Sequence, residues 1–159
     1  MKIIFHLFLT TLIMIVVISG CKSDNQERIV EETVQSKVLS IEDPWIRPAN
    51  SGTNTALFFK VVNGTEKPDT LYGAESNLAE IVEVHETYQK GVDIMGMRHV
   101  DMVEIPAGEE LEFKPRDLHI MLIRLFDDLA VADSGEVNLL FKGAGRVKVK
   151  AVVRDMPAM

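Results

Sequence analysis

The chain has 159 residues, and its 24 acidic side chains outnumber the 17 basic ones to leave a formal net charge of −7. An acid surplus of this kind argues against nucleic acid as a partner. The single cysteine, Cys21, lies close to the N-terminus, so the rest of the chain can hold neither thiol redox catalysis nor a cysteine-ligated electron-transfer centre.

The first stretch reads as export machinery rather than fold. Lys2 precedes an apolar run from Ile3 to Ile18, and Ser19-Gly20 lead directly into Cys21. A positive start, an apolar middle and small residues before a cut site describe a secretory signal over residues 1–20. Ile18-Ser19-Gly20-Cys21 resembles the bacterial lipoprotein box, in which the cysteine carries lipid and becomes the first mature residue. An uncleaved membrane helix is the alternative, since about 17 residues can just cross a bilayer; the position of the lone cysteine favours the box. An exported protein is free to use disulfides, yet no cysteine follows Cys21, so the mature domain rests on its apolar core alone. Residues 21–37 carry Asp24, Glu27, Glu31 and Glu32 with few large apolar residues, which suits a tether between lipid and domain.

From Val38 the pattern turns to β. Val38–Ile41 and Trp45–Arg47 form a first strand interrupted at Asp43-Pro44, and Thr55–Val62 is a strongly β-prone run closed by the turn signal Asn63-Gly64. Thr70–Ala74 and Ala79–His85 supply two more strands. Met95–Val103 and Glu110–Phe113 flank Ile105-Pro106-Ala107-Gly108, a turn by composition. His119–Leu125, Val137–Phe141 and Arg146–Val153 follow, and only Met156–Met159 remain as a short tail. Turns recur at short intervals and no long segment has helical apolar spacing. Residues 38–155 are therefore expected to form an all-β domain, an antiparallel β-sandwich or barrel of seven or eight short strands.

Histidine and methionine concentrate between residues 85 and 121. In the strand Ile81–His85, Val82 and Val84 share one face, so His85 lies on the other with Glu83. His119 and Met121, two apart on one strand, share a face. Met97 follows the hairpin-like stretch Tyr88–Asp93, which can return it toward His85. Thioether is a soft, neutral donor that prefers Cu(I) to Zn(II), Mg(II) or Ca(II), and imidazole binds copper in either oxidation state. Two of each add no negative charge, which suits a monovalent ion, and they avoid oxidisable thiolate. Imidazole must be neutral to bind, so affinity is expected to fall below about pH 6 to 6.5. Taken singly, Met95, Met97 and Met102 are ordinary core filler and one surface histidine is an ordinary solvated residue. It is their joint spacing that points to a ligand set.

That spacing is similar to the motif of the periplasmic copper chaperone family often written PCuAC: His-Met, ten residues, Met, twenty-one residues, His-x-Met. His85, Met97, His119 and Met121 stand at its ligand positions. Met95-Gly96-Met97-Arg98, Ile105–Gly108, Leu118–Leu122 and Val152–Asp155 also resemble the family's recurring segments, so the likeness covers residues 38–155. The resemblance implies a cupredoxin-like β-sandwich, an exposed Cu(I) site and delivery of copper to the binuclear copper centre of cytochrome c oxidase. Two departures matter. Glu86 stands where the family has a variable Met, and the tail holds only Met156 and Met159 where many members carry a His/Met-rich extension for a second copper ion. Met95 and His99 are reserve ligands.

Two other functions compete with a copper carrier. A non-catalytic β-sandwich lipoprotein acting as a protein-interaction module would need no metal. An enzyme finds little support: Glu83 and Glu86 read as surface carboxylates, and no Ser-His-Asp set or phosphate-cradling glycine loop is present. The expected product is a lipid-anchored, extracytoplasmic Cu(I) carrier.

Overall fold

The structure, a computed structural model, describes residues 38–156. The expected signal over 1–20, the lipidation site Cys21, the tether over 21–37 and most of the tail lie outside the described residues. All described secondary structure is β: ten strands, β1 (Leu39–Ile46), β2 (Thr55–Asn63), β3 (Asp69–Glu75), β4 (Ala79–Gly91), β5 (Ile94–His99), β6 (Val103–Ile105), β7 (Glu110–Phe113), β8 (Leu118–Leu125), β9 (Ser134–Phe141) and β10 (Gly145–Val153).

The strands join in the order β5-β4-β8-β2-β1-β10-β9-β3-β6, with β7 also on β2. All pairings are antiparallel except β1 with β10. The two ends of this order, β5 and β6, are consecutive in the chain and separated only by Val100–Met102. So short a link requires the sheet to curl until its edges approach, giving the antiparallel sandwich that the sequence pattern implies. The interruption at Asp43-Pro44 is a bulge. The register shifts between Glu42 and Trp45, Asp43 takes a positive φ, and beyond it β1 pairs with β10 at Trp45 and Ile46.

The core follows from alternation. β10 buries Val149, Ala151 and Val153 and exposes Lys148 and Lys150, while β9 buries Val137, Leu139 and Phe141. Leu57, Phe59 and Val61 from β2, Val84 from β4, and Ile120 and Leu122 from β8 meet them in one cluster. β2 is buried on both faces because its outer side chains Ala56 and Phe58 pack with Trp45 in a second cluster, against which Met121 leans.

Three details differ from the sequence reading. Met95–Val103 is not one strand: it divides into β5 and β6, which pair with different partners, β4 and β3. β4 runs on past His85 to Gly91, so Tyr88 lies inside a ladder and the hairpin turn is confined to Val92-Asp93. Asp93 supplies the positive φ (57°) that the tight turn needs. The strands therefore number ten rather than seven or eight.

Candidate metal centre

Strand register sets the site. On β4 and β8, His85 stands directly opposite His119 and Glu83 opposite Met121. On β4 and β5, His85 stands opposite His99, Thr87 opposite Met97 and Gln89 opposite Met95. Cross-strand partners share a face and residues two apart along a strand do too. One face of the β5-β4-β8 segment thus carries His85, Met97, His119 and Met121 together with Glu83, Met95 and His99. The opposite face carries Val84 and Ile120, both buried in the core. Of the remaining methionines, Met102 lies apart, its sulfur accepting from Lys142 Nζ at 2.9 Å, and Met156 follows the end of β10.

The four residues differ in access. His119 is buried, with 4% of its surface exposed, and its ring lies 6.2 Å from that of Phe58 and 6.1 Å from that of His85. His85 and Met121 are half-buried, whereas Met97 is 62% exposed on the outer strand. The site is a floor of imidazole and thioether with one thioether at its open rim.

The hydrogen bonds prepare both rings. His119 Nδ1 lies 2.8 Å from the carbonyl oxygen of Asp117; because a carbonyl only accepts, that nitrogen carries the proton and Nε2 keeps its lone pair. Burial, then the nearby His85 and Arg47, hold the His119 imidazole below the ordinary histidine range, against the opposing pull of the Asp117 carbonyl. His85 Nε2 lies 2.8 Å from Glu83 Oε2. With that nitrogen donating, Nδ1 holds the lone pair, and it is buried without a hydrogen-bond partner. An orphaned acceptor is costly unless something binds it. Two neutral nitrogens with free lone pairs and two thioethers on one face form a donor set suited to a soft monovalent ion.

The four residues singled out from the sequence lie on one face, and the same reading treats Glu83 and Glu86 as surface carboxylates. Glu86 fits that reading, tied to Arg98 at 2.6 Å. Glu83 does not: it contacts His85 and also lies 3.8 Å from His99 Nδ1. The signal was its place two residues before His85 on the same strand. The flanking cluster of Trp45, Ala56 and Phe58 is foreshadowed only by the unbroken apolar run of β2, the mark of a strand covered on both faces.

Comparison with known proteins places this arrangement in context. Residues 39–153 match the family described as "Putative lipoprotein LpqE-like". "Putative lipoprotein Lxx21020" of Leifsonia xyli subsp. xyli is 31% identical over 122 residues, 76% of this chain and 72% of that one. Among solved structures, the copper-bound PCuAC domain from PmoF2 aligns with a TM-score of 0.61 at 26% identity, over 74% of this chain and 93% of that domain. The solution structure of CuI-DR1885 from Deinococcus radiodurans aligns with a TM-score of 0.57 at 22% identity, over 77% of this chain and 83% of that one. The fold is therefore the cupredoxin-like β-sandwich of PCuAC domains.

Proposed function

The chain belongs to the LpqE-like lipoprotein family, and from that premise we propose that it is an extracytoplasmic, lipid-anchored copper chaperone that carries one Cu(I) on His85, Met97, His119 and Met121. The observation that carries this reading is the shared face of the four residues, with the buried, unpartnered Nδ1 of His85 among them. The copper-bound PmoF2 domain supports the choice of metal, since it shares this fold at 26% identity.

The geometry suits a carrier. His119, held neutral and fixed in its tautomer, is a preset ligand that needs no deprotonation before copper arrives. Met97 stands at the rim, where an acceptor protein can displace it first. Neutral thioethers exchange without leaving an unpaired charge behind. The chain holds and hands over copper and performs no bond chemistry of its own. Cys21, as the lipidated first residue after removal of residues 1–20, tethers the domain through residues 21–37. The recipient, by family resemblance, is the binuclear copper centre of cytochrome c oxidase.

Competition of the protein against a Cu(I) chelator under reducing conditions tests the site. The wild type should bind one Cu(I) per chain, and Met97→Leu/Met121→Leu should weaken binding by a hundredfold or more, about 3 kcal/mol. A wild type that binds no Cu(I) would leave the interaction-module reading instead.

A further inference from the structure

We propose that Glu83, His85 and His99 form a second copper site beside the thioether site, one that takes Cu(II) through two imidazoles and a carboxylate. It goes beyond the Cu(I) carrier reading and does not require it, because it rests on the geometry of β4 and β5 alone.

His85 and His99 are direct cross-strand partners, and Glu83 precedes His85 by two residues, so all three project from one face. Glu83 Oε2 lies 2.8 Å from His85 Nε2 and 3.8 Å from His99 Nδ1. One donor atom from each of the three lies within 4.8 Å of the others. An ion with metal–ligand bonds of about 2.0–2.1 Å spaces its ligands roughly 3 Å apart, so shifts of about an ångström seat it. These are side-chain adjustments, and the half-exposed His99 and Glu83 have room to make them.

The surroundings fit the assignment. Among the described residues Glu83 has no lysine or arginine partner; its ion-pair contacts are the two histidines. The other nitrogen of His99, Nε2, lies 3.2 Å from Asp101 Oδ1. That outer carboxylate can hold the Nε2 proton, leaving Nδ1 unprotonated on the side of Glu83. The ring of His99 meets that of His85 edge-on at 6.0 Å.

The chemistry separates this site from its neighbour. Carboxylate is a hard, charged donor that favours a divalent ion, and among first-row divalent ions Cu(II) binds nitrogen and oxygen sites most strongly. The thioethers of Met97 and Met121 prefer the reduced ion. His85 is common to both sites, and because a neutral imidazole has one lone pair the two sites are alternatives: with its proton on Nε2 the ring offers the buried Nδ1 to Cu(I), and with the proton moved to Nδ1 it offers Nε2, beside Glu83, to Cu(II). A divalent copper ion thus finds its ligands on the β4–β5 pair rather than in the short tail.

The test titrates the full chain with Cu(II) in air and follows electron paramagnetic resonance, with Cu(I) affinity measured separately under reducing conditions. Expected is one Cu(II) per chain with an axial spectrum showing coupling to two nitrogens. His99→Ala should weaken Cu(II) binding at least about tenfold, and by a larger factor than it changes Cu(I) affinity. Glu83→Gln, which keeps an acceptor oxygen for His85, should also weaken Cu(II). Met97→Leu/Met121→Leu should do the reverse, losing Cu(I) and keeping Cu(II). His99→Gln serves in place of any His99→Ala protein whose circular dichroism departs from wild type. Wild type without bound Cu(II), or Cu(II) held undiminished by the His99→Ala/Glu83→Gln double variant, would overturn the proposal. A wild type that binds Cu(II) but not Cu(I) would uphold this site and remove the carrier reading.

Discussion

At the scale of single residues, the two histidines of the proposed Cu(I) site are held differently: His119 is buried and His85 half-buried. His119 is buried and held below the ordinary histidine range by desolvation. Between that lowered value and the unfolded one near 6.5, the unfolded chain binds a proton that the native chain does not. The contribution of His119 to stability is thus complete above about pH 6.5 and declines as pH falls through the folded value, by at most about 1.4 kcal/mol per pH unit. Denaturant unfolding at pH 7.5 and 5.5 should show a smaller acid loss for His119→Gln than for wild type; equal losses would contradict the assignment. Met97 gives the converse case. Being largely exposed, it can be replaced by Leu with a stability change within about 0.5 kcal/mol, while Cu(I) affinity falls. The shared face of the proposed ligands is legible in the sequence because strand alternation fixes which side chains point the same way. Glu83 is less so: its contact with His85 follows from their spacing, but its approach to His99 depends on the pairing of β4 with β5, which spacing along the chain does not reveal.

At the scale of elements, β4 organises the proposed site as the strand between β5 and β8. A one-residue slip against either neighbour would turn its ligands onto the core face, so the hairpin at Val92-Asp93 and the buried Val84 and Ile120 all defend the register. Gly96 contributes close approach: a Cβ there would meet the Tyr88 ring at 3.0 Å, and Arg98 stacks over the same ring at 5.2 Å. The far side of the sandwich has its own fastening. Asn63 is fully buried at the end of β2, its Nδ2 donating toward the carbonyls of Lys67, Ile105 and Pro106 and its Oδ1 accepting from Thr65. Asn63→Ala strands those carbonyls and should cost about 2–3 kcal/mol by urea unfolding, with Cu(I) affinity per folded chain unchanged. A loss under about 0.5 kcal/mol would contradict that role. The Asn63-Gly64 turn is legible from composition alone. The division of Met95–Val103 is not, because its two strand-poor residues do not mark it unambiguously: Asp101 lies in the break but Gly96 lies inside β5. The break arises from tertiary pairing, as β5 stays with β4 while β6 closes onto β3.

At the scale of the whole molecule, the sandwich is built without a thiol in its body, and the chain's only cysteine, Cys21, is the proposed lipid anchor. The class of fold is legible because β-prone runs separated by closely spaced turn residues, with no long stretch of helical apolar spacing, point to an all-β architecture even though the strand count comes out at ten. The curl that brings the sheet edges together is not, since it depends on the Val100–Met102 link. Cys21→Ser should move the protein from the membrane fraction to the soluble one on fractionation; retention with the membrane would point to the uncleaved helix instead. The central claim, one Cu(I) held by two imidazoles and two thioethers, is tested most directly by X-ray absorption on the Cu(I)-loaded chain. Two nitrogen and two sulfur neighbours per copper are expected, with both sulfurs lost in Met97→Leu/Met121→Leu. A copper shell without sulfur, or one unchanged in that double variant, would contradict it.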